Sequence, residues 1–249
     1  MTVRWDRTKG APEPLAALDR VELQECGEPL VDIRPAAPAA FIARDTVIPF
    51  LRASVAERLE EVARSLQAGL GGDGAYHLGV TEAWRPLARQ KRIYEFMLDC
   101  AREAYPERGN ASLRRTVNRL VHACDRKAPP GHCTGAAVDV NLYSADGELL
   151  DVSSPFTRFE ASRTYTLGLN AEAQRCREAL VEAMLGAGFS NCRDEWWHYS
   201  WGDAAWAVRT GERACVYGSV ELDESLYAEQ ERLSEEAFRV RENPFLPSV

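Results

Sequence analysis

His132-Cys133-Thr134-Gly135-Ala136-Ala137-Val138-Asp139 and, further along, Glu195-Trp196-Trp197-His198 carry the chemistry of this 249-residue chain and locate its central strands. Two histidines and an aspartate supply the neutral nitrogens and the carboxylate of a three-coordinate catalytic zinc, leaving a fourth position for water. Zinc lowers the pKa of that water to about 7, so hydroxide becomes available near neutral pH. Glu195 is a carboxylate close to the last ligand but outside the ligand set. Such a group takes the proton of an attacking water and returns it to a departing amine. The set reads as a metallopeptidase, with His132, Asp139 and His198 on the metal and Glu195 as general base.

The spacing is not the helical arrangement in which two histidines four apart share a face. Trp196, Trp197, Tyr199 and Trp201 favour a strand. Residues three apart on a regular strand point to opposite faces, so a bulge or a strand end is expected between Glu195 and His198. The same parity separates His132 from Asp139. Gly131 and Gly135 suggest that His132 lies in a loop entering a strand over 137–142.

Together the GHCTGAAVD and EWWHYSWGD segments resemble the zinc D-alanyl-D-alanine dipeptidases of the vancomycin-resistance type, relatives of zinc D-Ala-D-Ala carboxypeptidases. Gly27-Glu28-Pro29-Leu30-Val31-Asp32-Ile33, Glu82-Ala83-Trp84-Arg85-Pro86 and Trp206-Ala207-Val208-Arg209-Thr210-Gly211 are similar to further segments of that family. The resemblance runs over roughly residues 26 to 220. It implies one zinc held by His132, Asp139 and His198, catalysis by Glu195, and stabilisation of the transition state by Arg85. Arg85 also suits that role on its own terms, because Pro86 marks a helix start and places it where a strand hands over to a helix. A guanidinium there offers a planar fork of donors to an oxyanion or a peptide carboxylate.

Two positions depart from the family pattern. Pro130 stands where many relatives have serine, two residues before the first histidine. Thr157, in Ser154-Pro155-Phe156-Thr157-Arg158-Phe159, stands where the family carries an aspartate for the substrate's amino group. A neutral hydroxyl offers no ion pair, and Asp151 or Glu160 are the nearby substitutes.

With 45% hydrophobic and 27% charged residues, the chain can bury a sizeable core without a disulfide scaffold. A net charge of -8 argues against a nucleic-acid partner. No apolar run is long enough for a signal peptide or a membrane span, which predicts a soluble cytoplasmic protein without a membrane partner. Seven cysteines with no Cys-x-x-Cys pair predict reduced thiols. Cys133 is expected to face away from the metal, since adjacent strand residues point apart, and Cys192 is read the same way. His122, in a helical repeat with Leu113, Val117 and Leu120, and His77, in an apolar stretch, are read as packing residues. Trp196 and Trp197 are expected to wall the site, and Trp201 and Trp206 to pack in the core.

Val55, Leu59, Val62 and Leu66 recur at helical spacing over 49–66, ahead of the glycine-rich stretch 69–74. A strand to Arg85, helices over 86–104 and 111–124, and a proline-rich loop over 125–131 should follow. Asn170 caps a helix to Leu185 that Gly186 and Gly188 stop before the second metal-site strand. Apolar positions at helical spacing in the acid-rich stretch 219–241 predict a docked helix. The expected fold is α+β: one domain whose central, mostly antiparallel sheet carries the zinc site between flanking helices. Its divisions are an irregular segment 1–25, a zinc peptidase domain 26–218, and an acidic helix or tail 219–249 packed on it.

The activity these residues predict is hydrolysis of D-Ala-D-Ala, or a similar small cell-wall-type peptide, by water activated by zinc. Manganese, iron or cobalt also suit the ligand set. Thr157 motivates an alternative, a carboxypeptidase or endopeptidase acting on longer muropeptides. A non-catalytic zinc protein on the same scaffold is a third reading, which the presence of Glu195 opposes.

Overall fold

Alternation of period two over 137–143 divides the molecule into a core side and a site side. Val138, Val140 and Leu142 are buried, whereas Asp139 and Asn141 between them are half-buried and line a cavity. The computed structural model describes residues 15–69, 76–150, 152, 163–165 and 168–246. Its first half comprises α1 (Leu15–Leu18), β1 (Glu22–Leu23), β2 (Leu30–Asp32), α2 (Ile33–Ala36), β3 (Ala40–Ile42), β4 (Phe50–Arg52), α3 (Ala53–Gln67), β5 (His77–Glu82), α4 (Leu87–Ala104) and α5 (Asn110–Val117). A 3-10 turn over Gly131–Thr134 then leads to β6 (Ala137–Tyr143), α6 (Ala171–Gly186), β7 (Ser190–Asn191), β8 (His198–Ser200), α7 (Ala204–Thr210), β9 (Ala214–Cys215) and α8 (Ala228–Arg239).

The central sheet has the order β3-β5-β6-β8-β7. β3 runs parallel to β5 and every other pairing in it is antiparallel, so the protein is α+β with a mostly antiparallel sheet. Helices α3 and α6 cover the core side, where Val55, Leu59, Val62, Leu66, Leu180 and Met184 pack with the strand residues. Each such buried aliphatic side chain contributes about 1.5–3 kcal/mol. Asn170 caps α6 by accepting from Ala173 N at 2.8 Å. A second cluster joins α4 and α5 through Tyr94, Met97, Leu113, Val117 and Phe245. Helix α8 docks on α4, where Glu231 accepts from Arg89 Nε at 2.7 Å.

Several boundaries differ from the sequence expectation. The strand read as reaching Arg85 ends at Glu82, and Trp84 makes only an isolated bridge with Ile48. The helix read over 111–124 stops at Val117 and the chain goes on in turns, in which Leu120 N and Val121 N both donate to Val117 O at 2.9 Å and His122 O accepts from Gln90 Nε2 at 2.9 Å. The stretch 1–25 contains α1 and β1, which pairs in parallel with β9. Among the described residues, no helix is long and apolar enough to cross a membrane.

Candidate metal centre and its cavity

Asp139 and His198 are direct partners in the antiparallel register of β6 and β8, and their side chains meet at 2.8 Å between Oδ1 and Nδ1. His132 arrives from the 3-10 turn, which ends at Gly135 in the left-handed conformation (φ 71°). That turn resolves the parity problem, because no regular strand separates His132 from Asp139. His132 Nε2 lies 3.4 Å from Asp139 Oδ1. One donor atom from each of His132, Asp139 and His198 lies within 4.8 Å of the others. The two imidazole rings meet edge to face with centroids 4.9 Å apart.

The donor chemistry fits a divalent metal. A carbonyl oxygen can only accept, so Ala83 O, 2.8 Å from His132 Nδ1, keeps the proton on Nδ1 and leaves a lone pair on Nε2. Burial alone would raise the Asp139 carboxyl, but the neighbouring imidazoles outweigh it and hold it well below the usual carboxylate range. Burial lowers His198, reinforced by His132 and Arg209 against the raising effect of Asp139. A metal ligand set requires an ionised carboxylate, which Asp139 supplies, and an imidazole nitrogen with a free lone pair, which the Ala83 contact gives His132. Burial pushes the Cys133 thiol up to about 12 despite nearby Arg85, and Cys133 is not among the residues whose donor atoms converge.

Glu195 occupies the turn before β8, where His198 N donates to Glu195 O at 3.1 Å. The irregularity expected between these residues is therefore a strand end. Trp196 and Trp197, half-buried with ring centroids 5.6 Å apart, line the same cavity as Glu195 and the three candidate ligands. Trp201 sits elsewhere, against Trp206, Tyr217 and the Arg58 guanidinium. The cavity encloses about 840 Å³.

Arg85 also faces this cavity, between β5 and α4, and its backbone N donates to His132 O at 3.2 Å. Its side chain donates to Glu82 Oε2 from Nη2 at 3.0 Å and to Gln90 Oε1 from Nη1 at 2.7 Å. Burial would weaken its charge, but Glu82 and then Asp139 more than compensate and hold its pKa above the usual arginine value.

Sequence reasoning gave Glu82 no role, although it lies within the quoted arginine segment. On a regular strand it would share the core face of Leu78 and Val80. A register shift between Val80 and Glu82 instead pairs Glu82 with Asp139, on the side of the cavity. Asn141, two residues after Asp139, was readable by parity alone. His122 lines the cavity too, with Nε2 3.0 Å from Ala128 O, whereas His77 approaches Gln67 and does not line it. Thr157, Asp151 and Glu160 lie outside the described residues.

Comparison with known proteins identifies the family. The family model described as D-ala-D-ala dipeptidase matches residues 59–215. A D-alanyl-D-alanine dipeptidase of Synechocystis sp. is 28% identical over 251 residues, covering 84% of this chain and 98% of that protein. A D-alanyl-D-alanine dipeptidase of Escherichia coli is 31% identical over 105 residues, covering 41% of this chain and 54% of that protein. The chain thus belongs to the D-ala-D-ala dipeptidase family and is a peptidase.

Proposed function

We propose that this protein is a zinc-dependent dipeptidase that hydrolyses the amide bond of D-Ala-D-Ala or a similar small cell-wall-type peptide. The observation that carries the reading is the convergence of donor atoms from His132, Asp139 and His198 within 4.8 Å, in a cavity that Glu195 and Arg85 also line. His132, Asp139 and His198 would hold the metal, which supplies an acidified water and polarises a carbonyl. The Glu195 carboxylate takes a proton from the attacking water and delivers it to the amide nitrogen as the C–N bond breaks. Arg85, charged and oriented by Glu82 and Gln90, binds the oxyanion. Trp196 and Trp197 wall the site and limit water around the reacting atoms.

The same reading takes 26–218 as the catalytic unit with the tail 219–249 packed on it, a division supported by the bond from Arg89 to Glu231. It places the protein in the cytoplasm, a reading supported by cysteines that form no disulfide among the described residues. A second reading, hydrolysis of longer wall peptides, is favoured by the size of the cavity.

The test is hydrolysis of D-Ala-D-Ala by zinc-loaded protein, compared with Glu195→Ala protein and with N-acetylated and L-configured analogues. The expected result is turnover of the free D,D-dipeptide that falls by about 10²–10⁴-fold in the variant, with its zinc content unchanged. Absence of turnover from every analogue despite one bound zinc would sink the proposal.

A further inference from the structure

Beyond the metal centre the cavity is larger and more basic than a dialanine needs. Pockets of about 300–1,000 Å³ enclose drug-sized ligands, and this one encloses about 840 Å³. Its lining includes Arg44, in the loop after β3, Arg119, just past α5, and Arg241, just past α8. Arg85 and Arg89 face it too, but Glu82 and Glu231 answer their charges. Among the described residues, no carboxylate comes within 4.0 Å of the Arg44, Arg119 or Arg241 guanidiniums. These arginines belong to a chain whose net charge is -8, so they are not a by-product of composition.

Arg241 is held in place by aromatic faces, its guanidinium 5.1 Å from the Phe238 ring centroid and 5.8 Å from that of Phe96. Arg44, Arg119 and Arg241 are all solvent-exposed residues, and partial desolvation of the Arg241 guanidinium, followed by the charges of Arg85 and Arg44, lowers its pKa against the raising effect of Cys100 and Glu82. Like charges that face one cavity repel, and an anion seated between them relieves that repulsion. Guanidinium forks match the geometry of a carboxylate.

Resting on the peptidase reading, we infer that Arg44 and Arg241 form an anion subsite, and that the substrate is a peptide bearing a second carboxylate apart from the one that ends its chain. The remaining volume of the cavity accommodates the residue that carries it.

The test compares two isosteric peptides, D-Ala-D-Glu and D-Ala-D-Gln, together with the same pair lengthened by one N-terminal D-Ala. Their binding to zinc-loaded Glu195→Ala protein is measured by calorimetry. The glutamate peptide should bind roughly tenfold more tightly at one length or both, a preference that weakens with salt. It should vanish in the Arg44→Gln/Arg241→Gln variant. It should persist in Arg232→Gln, which removes an exposed arginine that pairs with Glu229 and Glu236 along α8. Equal binding of glutamate and glutamine peptides at both lengths, no binding of either glutamate peptide, or a preference that survives the double variant overturns the subsite. Hydrolysis by wild-type protein, run alongside, separates the two readings. Tight binding without turnover of any peptide, D-Ala-D-Ala included, keeps the subsite and removes the proposed zinc-dipeptidase activity, whereas turnover with equal binding does the reverse.

Discussion

Arg85 shows how much of this site depends on the shape of a side chain rather than on its charge. Its guanidinium reaches Glu82 and Gln90 at the same time, through different nitrogens. Lysine keeps the charge but gathers its donors on one nitrogen, so it cannot hold both partners and still present the fixed donor that the proposed mechanism asks of Arg85. Arg85→Lys is therefore expected to lower kcat by about 10²–10³ while leaving zinc stoichiometry at one, as steady-state kinetics and elemental analysis would show. The types and spacing of His132, Asp139, Glu195 and His198 were readable because each is chemically distinctive. Glu82 was not, since its place opposite Asp139 depends on a register shift after Val80. Such a bulge leaves no mark in the amino-acid order.

Helix α3 and strand β6 follow from apolar periodicity, 3.6 in one and two in the other, and both were legible for that reason. The end of α5 was not, because no glycine or proline marks it between Val117 and His122, and the contact of Gln90 with His122 O beyond it spans 32 positions. The turn that delivers His132 depends on Gly135, at φ 71°. A Cβ there would sit 2.3 Å from Leu30 Cδ2, and Gly135 O also accepts from Arg52 N at 2.9 Å. Gly147 has a similar φ of 83° but opens onto free space. Both glycine-to-alanine changes carry the left-handed backbone cost of about 1–2 kcal/mol. Gly135→Ala should lower Tm more than Gly147→Ala and should alone weaken zinc affinity, a difference that thermal unfolding and zinc titration would reveal. An equal loss in both variants would mean that the turn does not position His132.

The whole molecule is closed by α8, which crosses back onto α4 through Glu231, bound by Arg92 and Arg89. Burial pushes the Glu231 carboxyl up, but its hydrogen bonds to these arginines outweigh this and leave it below its usual value. A depressed carboxyl stabilises the fold fully above its unfolded pKa, about 4.3, and that contribution is lost as pH falls through the lower native value. Helix α8 should therefore loosen in acid before the core does, seen as faster hydrogen exchange over 228–239 below about pH 4. Loss of protection throughout the chain at one pH would contradict this. The cross-strand pairing of Asp139 with His198 has a separate bearing on how the chain folds. If β8 slipped by one residue along β6, a valine would stand opposite His198, and the three donor atoms would no longer converge. A metal ion that binds only the correct alignment favours it by mass action. During folding the ion would then act as a proofreader, rewarding the one pairing from which the enzyme can work.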